Sequence, residues 1–323
     1  MNDSISEEQE RSNQRARRTW ESKAVGSQRA RSPSGTTAYF DEIRRYRFGY
    51  ETPFIPDFFG FSSLGGKRVL EIGVGNGIDA FEMIRGGAIY TGLDITRNHL
   101  DLTRVLLASA KVDEVPGRVE ALIEGDLLRT TLPGSYDVVY SFGVLHHIAH
   151  EDAYLRRIHG LLKPGGELRM AVYSRFSFFN AWLLMTWLLR NRTRNRFVDW
   201  QSHLAEHSPL GDPVVIKIRS RMEVQRLLEA NGFKIVRYGK RGFVSRYLPI
   251  LGRFLAPNGL VLHVCARALG WYHCFICRPV DSVGVAHASA GEKIDGHGEA
   301  CTITNVDGVQ AAADATGAEQ WPT

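Results

Sequence analysis

Three glycines at alternate positions, Gly73, Gly75 and Gly77, follow a short β-rich run, Arg68 to Ile72, and precede an apolar stripe at helical spacing, Ile78, Phe81 and Ile84. A strand, a glycine turn and a helix in that order let backbone approach a ligand closely, because a Cβ would collide with it or forbid the turn's dihedrals. A dinucleotide fingerprint, G-x-G-x-x-G, would need a third glycine where Ile78 stands, which disfavours a nicotinamide reading. Further along, His146 and His147 follow the run Tyr136 to Phe142. An imidazole titrates near neutral pH and suits proton transfer at the edge of a sheet. Two other groupings look chemical and are weaker. His203 to His207 spells H-x-x-E-H, a zinc-hydrolase pattern with no third ligand in view. Cys274 and Cys277 form a lone C-x-x-C, which on a strand points its thiols to opposite faces, so no metal site is expected.

The elements that must position these residues alternate along the chain. Runs at 68–72, 89–95, 119–123, 136–142 and 167–173 read as strands, with helices after the first, second and fourth, the second spanning Asn98 to about Lys111 and the last stopped by Lys163 to Gly166. Such alternation predicts βαβ units and a parallel sheet covered on both faces. Residues 174–215 break the rhythm and read as a helical lid inserted over the sheet. A capping box, Ser220 to Glu223, opens another helix, and 233–238 and roughly 261–277 supply two strands expected as an antiparallel pair at the edge. The predicted fold is therefore α/β, Rossmann-like and doubly wound, with a mostly parallel seven-stranded sheet.

Composition bounds the rest. The chain has 323 residues, 44% hydrophobic and 23% charged, enough for one main domain, placed at 36–280. Residues 1–35, net +2, read as a flexible basic arm, and 281–323, net −6, as a disordered acidic tail, leaving +9 on the body. Four cysteines and no N-terminal apolar leader point to a reducing cytoplasm. The longest apolar stretch, Phe176 to Leu189, falls short of the roughly 20 residues a bilayer span needs.

The stretch from Glu71 through Gly77 closely resembles the first motif of class I S-adenosylmethionine-dependent methyltransferases, acidic-x-G-x-G-x-G. Asp94 lies 23 positions after Glu71, where an acid closes on ribose in such folds. Glu124-Gly125-Asp126-Leu127 resembles the family motif whose acid accepts from the adenine amino group while the next residue packs on the ring, and Leu162 to Leu168 resembles the turn before the family's fifth strand. The likeness is strong over roughly 67–175 and looser to Arg278. It implies a cofactor, S-adenosylmethionine, held by Glu71, Gly73, Gly75, Gly77, Asp94, Ile95, Asp126, Leu127 and Phe142.

Methyl transfer from a sulfonium needs alignment, and a base where the acceptor is a hydroxyl. His146 or His147 is the expected base. Tyr173 and Arg175, in a run that also resembles one bacterial subgroup, are expected on the acceptor side, with His207 facing it from the lid. The segment after the fourth strand, Ser141-Phe142-Gly143-Val144, lacks the acidic or Asn-Pro-Pro-aromatic run of methyltransferases acting on bases, so nucleic acid is not an expected partner. Phe176 to Leu188 followed by Arg190 to Arg196 reads as a packed lid helix, or as a greasy acceptor pocket or interfacial helix in peripheral contact with a membrane. The pocket and the interfacial helix both favour an acceptor with an apolar part, and the expected acceptor is a small or lipid-like molecule. The alternatives are carboxyl methylation with Arg175 holding the acid, a non-catalytic adenosyl-binding protein, and, least favoured, a nicotinamide oxidoreductase.

Overall fold

The computed structural model describes residues 2–280 except 23, 110–114, 191–193, 249 and 258. In chain order the elements are α1 (Asn2–Ser22), α2 (Thr37–Tyr46), α3 (Ile55–Phe58), β1 (Arg68–Ile72), α4 (Ile78–Arg85), β2 (Ile89–Asp94), α5 (Arg97–Ser109), β3 (Arg118–Glu124), β4 (Tyr136–Phe142), α6 (Glu151–Leu161), β5 (Leu162–Tyr173), α7 (Phe178–Arg190), α8 (Phe197–Glu206), α9 (Arg221–Ala230), β6 (Phe233–Arg241), α10 (Leu260–Leu269) and β7 (Tyr272–Pro279). The strands form one sheet in the order β3-β2-β1-β4-β5-β7-β6. β1 to β5 pair in parallel, and β7 runs antiparallel between β5 and β6. The order reverses at β1 and β4, which opens a crevice at the carboxyl ends of those strands.

Successive residues of the central strands enter opposite cores. Val69, Val138, Tyr140 and Ala171 face one layer with α3, α4 and α5, while Leu70, Val139, Met170 and Val172 face the other with α6 and α9. This two-sided burial explains why the strands read as continuous apolar runs, each fully buried Leu or Val contributing about 1.5–3 kcal/mol. Cys274 and Cys277 follow the same rule. They are unpaired and lie in opposite cores. Burial pushes the Cys277 thiol up to about 12 and Cys274 further, so neither is a nucleophile at neutral pH.

Two expectations are corrected. The run at 261–277 is not one strand, because Leu260–Leu269 is a helix and the strand starts at Tyr272. Its apolar residues lack the period of 2 that a half-buried strand requires. The N-terminal arm is not a free coil through its first half, because Asn2–Ser22 is a helix laid over the loops at the carboxyl ends of the strands. Its buried face, Gln9, Ser12, Asn13 and Ala16, is mostly polar and carries no apolar stripe to read. Side-chain bonds hold it instead: Ser12 to the carbonyl of His147 at 3.1 Å, Arg17 to that of Ile95 at 3.1 Å, and Arg15 and Arg18 to Asp212 at 2.8 and 2.7 Å. The acidic tail, Cys301 and Lys111 lie outside the described residues.

Candidate active site

A cavity of about 660 Å³ opens at the carboxyl ends of β1, β2, β4 and β5, within the size range of a cofactor site. Its wall on the β1 side is the glycine turn. Gly75 has φ +58°, and a Cβ there would meet nothing within 4 Å, so its bare backbone faces open space that a ligand can fill. Gly73 also lines the cavity, whereas Gly77 does not. At Gly77, with φ +82°, a Cβ would stand 2.8 Å from the Thr103 hydroxyl, so this glycine admits close packing of α4 on α5. Asp94 caps its own turn, accepting from Thr96 N at 2.8 Å, and reaches across to Gly75 N at 3.2 Å. Asp126 accepts from Leu128 N at 3.0 Å. Both carboxylates are buried and line the cavity, with Ile95, Leu127 and Phe142 as apolar neighbours.

The charge of this wall fits a cationic cofactor. Glu71 is buried and accepts from Tyr90 Oη at 2.5 Å. Burial, then the nearby Asp79 carboxylate, pushes its carboxyl well up, so a positive group in the cavity would favour the ionised form. Asp79 is bound by Arg47 through two guanidinium bonds, Nε at 2.6 Å, and by Tyr140 Oη at 2.8 Å. Arg47 in turn lies over the Phe142 ring, 5.0 Å from its centroid. The cavity thus offers a cationic ligand a bare-backbone cradle, two strand-end carboxylates and an acidic wall.

The opposite end is built from β4, β5 and the lid. His147 lines it. Its Nδ1 lies 2.7 Å from the carbonyl of Val215, which can only accept, so Nδ1 carries the hydrogen and the Nε2 lone pair is left for chemistry. Glu206, on α8, places Oε1 3.7 Å from that Nε2. This oxygen is buried without a hydrogen-bond partner among the described residues, and burial, then the nearby Glu206 charge, pushes the Tyr173 hydroxyl well up. Tyr173 is stacked between His146 and Trp271, at centroid distances of 3.9 and 4.3 Å. An imidazole that takes a proton here would gain the Glu206 carboxylate as counter-charge.

His146 does not reach the cavity. It is buried behind Tyr173, and burial, then His147 and Arg219, hold its ring well below the usual histidine pKa, so it stays neutral. Arg175 points away as well, pairing with Glu223 at 2.9 Å on the exterior. His207 does line the cavity, in a left-handed backbone conformation, φ 55°, that ends α8. The H-x-x-E-H run contributes its acid rather than its histidine pair, since His203 Nδ1 is tied to the Ser208 carbonyl at 2.7 Å. His146, His147 and Glu206 bring three ligand-type atoms within 4.8 Å of one another, against the about 3.4 Å between neighbours around a tetrahedral ion with bonds near 2.1 Å.

Sequence reasoning also missed Arg47, Asp79 and Asn13. Asp79 had a signal, an acid in the first turn of the helix behind the glycine turn. Asn13 had none. Its amide donates to Asp126 Oδ2 at 2.7 Å, while Trp20 meets the His147 ring edge-on at 5.0 Å, so α1 roofs both ends of the cavity. Truncation of residues 2–22 should weaken S-adenosylhomocysteine binding by about tenfold, the worth of one hydrogen bond to a charged group, while circular dichroism shows the sheet intact. Unchanged affinity would make α1 a bystander.

The family described as "Methyltransferase domain" matches residues 41–238. Ubiquinone biosynthesis O-methyltransferases of Bordetella bronchiseptica and Nitrosococcus oceani are 36% and 34% identical over 115 and 116 residues, 35% of this chain in each case. The match spans about half of those relatives' length, 45% and 47%. Among solved structures, an S-adenosylmethionine-dependent methyltransferase from Mesorhizobium loti covers 70% of this chain and 97% of its own at 18% identity and TM-score 0.47. The magnesium protoporphyrin IX methyltransferase of Synechocystis PCC 6803 covers 82% and 92% at 14% identity and TM-score 0.48. The family match takes in every strand from β1 to β5 with Asp94 and Asp126 at their ends, and on that ground the chain belongs to the class I S-adenosylmethionine-dependent methyltransferases.

Proposed function

We propose that this protein methylates a hydroxyl of a small or lipid-like acceptor, with His147 receiving the proton. Bound S-adenosylmethionine supplies an electrophilic methyl group on a sulfonium. The chain supplies position and a base: the cradle at Gly73 and Gly75 and the carboxylates of Asp94 and Asp126 fix the donor, and Tyr173 with Glu206 bounds the acceptor's end. The observation that carries this reading is the His147 ring, its Nδ1 hydrogen committed to Val215 and its Nε2 turned toward the Glu206 carboxylate at the cavity wall. The names of the curated relatives, O-methyltransferases, support a hydroxyl acceptor. Carboxyl methylation leaned on Arg175, which lies outside the cavity. Among the described residues no helix is long and apolar enough to cross a membrane.

The test is transfer of labelled methyl from S-adenosylmethionine to paired acceptors, phenols with apolar tails against the matching carboxylic acids. Turnover confined to the phenols is the expected outcome. Turnover of the acids alone, or of neither with the cofactor bound, would reject the assignment.

A further inference from the structure

We infer that the face built by α7, the 245–254 turns and α10 docks on an anionic lipid surface, with the cavity opening beside it. The clause about the cavity rests on the function proposed above, and the docking itself does not.

α7 is apolar on nearly every side, yet Leu183 is its one fully buried residue. A helix of that composition normally sits inside a core. Here Met185 and Leu188 are about half exposed, and Leu189 is 76% exposed. The turns add Ile250, Leu251 and Phe254, and α10 adds Leu260, Val261 and Val264, all exposed. These elements meet around a satellite core in which Phe178 of α7 packs with Phe243, Tyr247 and Leu262. So much clustered apolar surface marks an interaction site.

Charge selects the occupant. No Asp or Glu occurs between Glu167 and Asp199, nor between Glu229 and Asp281, so these elements contain no acid at all. Arg190, Arg246, Arg253 and Arg267 are exposed on them, and Arg194 and Arg196 are exposed just after α7. A second copy of the chain would bring arginine against arginine. An anionic bilayer offers headgroups to the guanidinium groups and acyl chains to the leucines, and long arginine stems reach the headgroups from a helix lying in the interface. The apolar length of α7, 13 residues, suits lying in that plane rather than crossing it. Phe179 and Trp182 of α7, with Val244, Arg246 and Tyr247, also line the cavity. An amphiphilic acceptor would pass from the bilayer to the His147 end without entering water.

Co-sedimentation of the full chain with vesicles tests this. Binding should be strong on phosphatidylcholine vesicles containing phosphatidylglycerol, weak on phosphatidylcholine alone, and reduced by salt. Arg190→Glu with Arg253→Glu should weaken it by at least about 25-fold, at roughly fivefold for each basic group lost near the surface. Leu189→Ser with Phe254→Ser should also release the protein while leaving transfer to a water-soluble acceptor unchanged, since neither residue lines the cavity. Equal binding to both vesicle types, or binding indifferent to both double variants, would overturn the inference. So would a dimer in sedimentation velocity that both double variants dissociate. Asp94→Ala should bind vesicles as the parent does, and vesicle binding by the parent with no methyl transfer to any acceptor would reject the proposed function alone.

Discussion

Asp94→Ala should weaken binding of S-adenosylmethionine and S-adenosylhomocysteine by about 10²-fold or more in calorimetric titration, the loss expected when two charge-assisted hydrogen bonds disappear. The argument is geometric. Asp94 sits at the end of β2 with Oδ1 on Thr96 N and Oδ2 shared between Gly75 N and His99 Nδ1, each of the latter at 3.2 Å. His99 Nε2 accepts from Val25 N at 3.3 Å, so Nδ1 carries the hydrogen and donates to the carboxylate. One side chain thus presents acceptors to the cavity and ties the glycine turn to β2. Removing it also strands buried donors, at about 1–3 kcal/mol each, so the alanine variant should melt earlier. Asp94→Asn separates the two effects. It preserves the shape and one acceptor, and should lose about tenfold in affinity with a smaller change in melting temperature. NAD should give no heat with any of these proteins, and NAD binding or full affinity in the alanine variant would overturn the cofactor assignment.

Parts of this site were legible for a simple reason. Glu71, Gly73, Gly75, Asp94 and Asp126 sit within three residues of strand ends, and strand ends are fixed by the apolar runs that fill both cores. Local pattern therefore locates them. The acceptor side and the α1 roof over the cofactor side are different, because their geometry comes from chain segments far apart. Glu206 meets His147 across 59 positions, and Asn13 meets Asp126 across 113. Nothing in the neighbourhood of Asn13 marks it, since α1 is held by polar bonds to backbone that no periodicity reveals. Arg175 was misplaced for a related reason. It leaves the end of β5 beside the cleft, but the capping-box acid Glu223 draws it outward. His146 and His147 are equivalent as sequence and separate only once Tyr173 stacks over the first.

Replacing His147 by Ala should lower turnover on a hydroxyl acceptor by about 10²- to 10⁴-fold, the usual contribution of a positioned base, with little change in cofactor affinity. The contrast with its neighbour decides whether the effect is chemical. His146→Phe keeps the ring stacked on Tyr173, removes two nitrogens that have no hydrogen-bond partner among the described residues, and should retain turnover within a few-fold. Glu206→Gln should fall between them, near tenfold by the measure of one charged contact across 3.7 Å that is only partly shielded. It removes the counter-charge from the imidazolium yet leaves the base in place, so kcat should drop while KM for the acceptor stays close to the parent value. An acceptor that is already ionised needs no base, and with a phenol of low pKa the loss in His147→Ala should shrink as the acceptor's own pKa falls. A loss that ignores acceptor pKa would assign His147 to positioning, and equal losses in His146→Phe and His147→Ala would assign the pair to the packing of the lid.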